Sequence, residues 1–121
     1  MKLVKKGKSF DPRDEVLKVL QKIGFNITLE EKIRGSSGIY HQIDFLAEKG
    51  DKRIAISVLD GDINMRKAMS LSLKKLDMGL DYIVISGEIP DEIKFMLKES
   101  GIIIIDNFNF NELEEKLKKL L

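Results

Sequence analysis

Three short apolar runs constrain this chain more than any other feature: residues 54–59 read IAISVL, residues 82–85 read YIVI and residues 102–105 read IIII. A strand that is apolar at consecutive positions leaves no face for water, so it must be covered on both sides. The stretches between the runs are long enough for helices, and a strand–helix–strand succession favours parallel pairing through crossovers. The expected fold class is α/β, a mixed sheet flanked by helices.

Ahead of these runs, residues 11–24 carry the marks of a helix. Asp11 is placed as the N-cap, Pro12 at the first helical position and Asp14 at the capping-box position; Val16, Val19, Leu20 and Ile23 form an apolar stripe, and Gly24 is the stop. FNITLEEKI then alternates loosely through Phe25, Ile27 and Leu29, as a strand with one wetter face does. Residues 34–38 make a Gly/Ser turn. Residues 40–48 make the next strand, with Ile43, Phe45 and Ala47 opposed to Gln42, Asp44 and Leu46. Lys49, Gly50 and Asp51 form a tight hairpin turn into the strand at 53–59.

Asp62 is expected to cap a second helix whose core stripe is Met65, Met69, Leu73 and Leu76 and whose end is Gly79. A helix over 90–100 closes at Gly101, and a last helix from about 109 presents Phe110, Leu113, Leu117 and Leu120 on one face. The predicted order is α-β-β-β-α-β-α-β-α in a single domain, 11–121, preceded by a basic flexible arm, 1–10, bearing Lys5, Lys6 and Lys8.

Charge and residue usage narrow the chemistry. With 21 Lys and Arg against 20 Asp and Glu, the net charge of +1 supplies no general field toward nucleic acid or membrane, so any DNA-binding surface has to be local. The absence of cysteine removes disulfides and thiolate metal sites, and the single His41 removes multi-histidine zinc clusters. Hard, oxygen-ligated ions such as magnesium or manganese remain. No apolar run reaches signal-peptide or membrane-spanning length, which leads to the expectation of a soluble, cytoplasmic protein with no membrane partner. A charged content of 34%, with no Cys or Trp and much Ile and Lys, is the composition of a chain from a thermophilic organism.

The segment GSSGIYHQIDFLAEKGDKRIAISV, residues 35–58, resembles the short archaeal relatives of the Mrr-type restriction endonucleases, members of the PD-(D/E)xK superfamily. SGIIIIDN, a buried strand between two helices near the end, is similar to that group as well. The resemblance implies a restriction-endonuclease-like core and DNA as a partner. In active relatives, an aspartate on the second strand and an acid followed two positions later by lysine on the third strand bind metal and orient water, often with a glutamate from the first helix. Asp44 matches the aspartate and Glu15 the helix glutamate, so these two would hold Mg²⁺ or Mn²⁺ in an active enzyme. Ser57 falls where the second acid is expected and Leu59 where the lysine is expected.

Those two replacements argue against catalysis. Phosphodiester hydrolysis needs hard cations to neutralise the phosphate and a group to align or deprotonate water. A serine hydroxyl is a neutral, weak ligand, and leucine can neither move a proton nor stabilise an anion. Losing one such group typically costs on the order of 10²- to 10⁴-fold in rate. Substitutes within reach in sequence are Asp60 and Asp62 just beyond the strand, and Lys52 or Arg53 at its start.

Each candidate also has a structural reading. Asp44 could cap the Gly35–Gly38 turn, and Glu15 suits the first turn of a helix through the dipole alone. His41, Ser36 and Ser37 are candidate phosphate contacts at a glycine turn, and Lys5, Lys6, Lys8, Arg34, Lys52 and Arg53 are candidate nucleic-acid contacts. The leading expectation is a catalytically degenerate nuclease-like domain, without a cofactor, acting as a DNA-binding or protein-interaction module. The alternatives are an active Mg²⁺- or Mn²⁺-dependent DNA endonuclease with migrated residues and a purely structural dimerisation subunit.

Overall fold

Asp11, itself extended, caps the start of α1 (Pro12–Ile23): its carboxylate accepts a hydrogen bond from the Arg13 N–H at 3.0 Å. The helix stops at Gly24, where φ is +95° and the freed N–H bonds back to Leu20 and Gln21 carbonyls. The computed structural model describes residues 11–121, so the basic arm with Lys5, Lys6 and Lys8 lies outside the described residues.

Five strands follow in succession: β1 (Asn26–Leu29), β2 (Lys32–Arg34), β3 (Tyr40–Gln42), β4 (Phe45–Lys49) and β5 (Lys52–Val58). After them come α2 (Met65–Met78), β6 (Asp81–Ile85), α3 (Asp91–Glu99), β7 (Ile103–Ile105) and α4 (Phe110–Leu120). The main sheet has the order β1-β4-β5-β6-β7, antiparallel through β5 and parallel from β5 to β7, and β2 pairs with β3 in a separate two-stranded sheet.

Two strands predicted as continuous are each bent. FNITLEEKI divides into β1 and β2, and residues 40–48 divide into β3 and β4. The pairing register does not slip: Leu29 faces Phe45, Lys32 faces Gln42, and two residues on each strand lie between. Glu30 takes a left-handed φ of 50°, while Glu30 N–H donates to the Asp44 carbonyl and Ile43 N–H to the Glu31 carbonyl. The kink moves Ile43 to the side of the sheet opposite Phe45 and Ala47, rather than onto one face with them. Counting each bent strand once restores the predicted order.

The apolar runs are buried on two sides, as required. Ile54, Ile56, Ile83, Ile85 and Ile105 face Val16 and Leu20 of α1 and Leu113 and Leu117 of α4. Ala55, Tyr82, Val84 and Ile104 face Ala68 and Leu71 of α2 and Ile93 and Leu97 of α3. Each fully buried Leu or Ile is worth roughly 1.5–3 kcal/mol over exposure, so these two layers fix which face of each helix turns inward.

In α2 that face is not the predicted one. Ala68, Leu71 and Met78 are buried, whereas Met65, Met69, Leu73 and Leu76 are 46%, 55%, 65% and 78% exposed. The helix carries two apolar stripes, and the one with the small Ala68 packs inward because it lets the backbone approach the sheet. The cap also differs: Asn64, not Asp62, accepts from the Lys67 N–H at 2.8 Å.

Candidate functional site

The kink in the β1–β4 hairpin puts Asp44 beside the end of β5. The β4–β5 ladder closes at Phe45 and Ile56, and Asp44 N–H still donates to the Ile56 carbonyl at 3.1 Å. One step further the Asp44 side chain takes over as acceptor, receiving the Val58 N–H at 2.7 Å. That carboxylate therefore terminates the ladder as a strand carbonyl would.

Its other oxygen faces Arg13, from the first turn of α1. Arg13 Nε donates to Asp44, Nη1 to Asp60 and Nη2 to the Val58 carbonyl, each at 3.2 Å. Burial pulls the guanidinium pKa down, but the hydrogen bonds and charges of Asp60 and Asp44 outweigh it and leave it above the ordinary arginine value. Two carboxylates and a carbonyl, the oxygen set a hard cation would take, thus converge on a cation the chain itself supplies. Arg13, Asp44, Gln42, Glu30 and Leu17 line an open cavity of about 580 Å³ at this end of the sheet.

Of the possible substitutes, Asp60 joins the cluster and Asp62 lines a different cavity, with Asn64 and Glu92. Glu15 pairs with Lys18 at 3.1 Å on α1 and is not brought to Asp44. Ser57 is buried and accepts a 2.7 Å hydrogen bond from the Tyr82 hydroxyl, whose pKa burial pushes up to about 12. Leu59 packs against the α2–α3 layer. Among the described residues, no three of His, Asp and Glu converge to hold a metal ion. As they stand, the side chains do not fit the Mg²⁺ or Mn²⁺ site that the resemblance implies.

Lys74 of α2 reaches the same end of the sheet from the other layer, its ammonium donating to the Gln42 carbonyl at 2.9 Å. Burial lowers its pKa, Lys67 lowers it further, and the charge of Asp44 opposes both.

A second carboxylate, Asp77 at the end of α2, governs the glycine turn. It accepts from Ser37 N–H at 2.8 Å, Ser37 Oγ at 2.7 Å and His41 Nε2 at 2.7 Å, and these three donors hold its pKa down at about 2. A Cβ on Gly35 would overlap this carboxylate, which is why the turn opens with glycine. The turn is thus held by Asp77 and not by Asp44, and Ser37 and His41 are held inside that network.

The remaining basic candidates do not form one patch. Arg53 pairs with Glu48 at 3.2 Å and Lys52 with Asp81 at 3.7 Å, while Arg34 extends near Gly38. Ser36 donates its backbone N–H to the Asp77 carbonyl. Arg13 and Asp77 were not singled out in the sequence. Both act across more than thirty positions, and the only local sign of either is Gly35, whose missing Cβ makes room for Asp77.

Fold and site together define a mixed α/β protein with, among the described residues, a five-stranded sheet, four helices and a carboxylate–guanidinium cluster at a strand bend. An uncharacterized protein of Archaeoglobus fulgidus is 34% identical over 97 residues, covering 78% of this chain and 74% of that protein, and the chain belongs to its family. No family model matches the sequence.

Among solved structures, the protein of unknown function AF1548 superposes with a TM-score of 0.66 at 19% identity, over 89% of this chain and 66% of that one. VC1899 from Vibrio cholerae gives 0.64 at 13% identity, over 89% of this chain and 31% of that one. SfsA of Pyrococcus furiosus, solved in complex with Ca²⁺, gives 0.51 at 15% identity, over 79% of this chain and 57% of that one. These similarities are of fold, and the chain spans about two thirds of AF1548 and under a third of VC1899. No helix among the described residues is long and apolar enough to cross a membrane.

Proposed function

We propose that this protein is a restriction-endonuclease-like domain that has lost cleavage and serves as a noncatalytic module binding a protein partner. The observation that carries the reading is Arg13, which already bonds one oxygen each of Asp44, Asp60 and Val58. Ser57 and Leu59, turned into the α2–α3 layer, add no charge to the cluster. The nuclease-like fold of the SfsA neighbour supports the family-level reading. Protein is favoured over DNA as partner because Lys52, Arg53, Ser37 and His41 are engaged with acids, whereas α2 shows a long apolar stripe to solvent.

The test is incubation with supercoiled plasmid in Mn²⁺ or EDTA, alongside Asp44→Ala. The plasmid stays intact in every lane; metal-dependent cutting that disappears in Asp44→Ala overturns the reading. Salt-sensitive DNA binding without cutting would transfer the module from protein to DNA.

One arrangement favours an active Mg²⁺- or Mn²⁺-dependent nuclease with migrated residues: Asp60 and Lys74 approach Asp44 from outside the expected positions. On that reading Arg13 leaves the carboxylates when metal and phosphate arrive. Lys74→Ala would then abolish cutting together with Asp44→Ala.

A further inference from the structure

An apolar stripe runs the length of the solvent face of α2. If Leu71 marks the direction of the core, a step of about 100° per residue places Met65, Met69, Leu73 and Leu76 between about 120° and 200°, opposite the buried face. All four are exposed, and Ile39, at 61%, extends the patch from just before β3. Ile39, Leu73 and Leu76 line one cavity, so the two parts are contiguous. Phe95 on α3 is a single exposed ring of the kind any surface carries; five neighbouring apolar side chains mark an interaction surface.

The order of residues along the stripe selects the partner. Met65 with Leu76, Arg66 with Asp77, and Met69 with Leu73 are three pairs, each centred within about a residue of position 71. A two-fold axis through that point would set each residue opposite the other member of its pair in an antiparallel helix. Arg66 and Asp77 lie on the same flank, at about 220° and 240°, and an antiparallel two-fold keeps a flank on the same side. Arg66 is exposed and has no ionic partner among the described residues, while Asp77 is held ionised by Ser37 and His41. A parallel pair would leave Arg66 and Asp77 eleven positions apart in height and unmatched.

We propose that α2 is a self-association surface, on which a second copy of this chain packs its own α2 antiparallel, with Met69 against Leu73 at the centre and an Arg66–Asp77 ion pair at each end. This rests on the reading of the domain as a protein-interaction module and names the partner. Dimerisation and plasmid cutting are measured separately, so either claim can fail alone.

Sedimentation across the micromolar to millimolar range reads the dimer, and circular dichroism checks that each variant is folded. Leu73→Glu, at the centre, weakens association by about a hundredfold, and Leu76→Glu, nearer the end of the stripe, weakens it by less; both positions are exposed. Arg66→Glu weakens it by about tenfold and reverses its salt dependence, because added salt then screens repulsion from Asp77 of the second copy. A wild type that stays monomeric throughout the range, or a dimer indifferent to Leu73→Glu and Leu76→Glu, overturns the proposal.

Orientation is read by disulfides, which the cysteine-free chain reports cleanly. Mixing Met65→Cys with Leu76→Cys gives the mixed disulfide in the antiparallel pair. Preferential Leu76→Cys homodisulfide instead indicates parallel packing and overturns the proposed geometry.

Discussion

Asp44 and Asp77 both bind backbone N–H groups beside the β2–β3 hairpin, yet their surroundings differ. Asp44 closes the end of a central strand and faces a guanidinium from another layer. Asp77 sits on a helix and, within its own chain, binds donors of the β2–β3 hairpin it secures. A carboxylate matched by a second chain segment's cation has the composition of a site, although here the match is internal. A carboxylate surrounded by the donors of one turn is a staple.

The sharpest way to break this contrast is Asp44→Ala, which orphans the Val58 N–H and deprives Arg13 of one partner. A loss of about 2–3 kcal/mol is expected in denaturant titration. A loss below about 0.5 kcal/mol would show that water replaces the carboxylate freely and that it does not close the strand.

Gly35→Ala attacks the other carboxylate without touching it. The added Cβ displaces Asp77, and the expected cost is about 1–2 kcal/mol, as for overpacking. If Ala fits at no cost, the turn is looser than the Ser37 and His41 distances imply.

The smallest effect is in acid. Asp77 has a folded pKa of about 2, below its ordinary value of 3.8, so its contribution is complete above about pH 4 and is lost as pH falls toward 2. Asp77→Asn should flatten that part of the stability profile; an unchanged acid limb means the three hydrogen bonds do not favour the ionised form.

The sequence made the layered architecture legible because a run such as IIII can be accommodated only where both faces are covered, and the caps at Asp11 and Gly24 are local chemistry. Asp44 was legible through the nuclease-like segment it sits in and because aspartate is disfavoured inside a strand. The bend at Glu30 was not, since its left-handed φ falls on a residue type with no preference for it. Nor was the orientation of α2. Helical spacing reveals a stripe but not its direction, and Met65, Met69, Leu73 and Leu76 satisfy the same period as Ala68, Leu71 and Met78. The larger residues face outward here. Arg13 and Asp60 meet Asp44 only through tertiary placement, so the content of the cluster could not be read from spacing.

Among the described residues, the two borders of the main sheet are β1, with four residues, and β7, with three. Strands this short offer few free peptide groups as a template for another chain, a recognised defence against sheet extension and aggregation. With growth along the sheet discouraged, encounters between copies are left to side chains, where contact can be closed and counted instead of propagating. A surface of that kind can be tuned one residue at a time without reopening the sheet to extension.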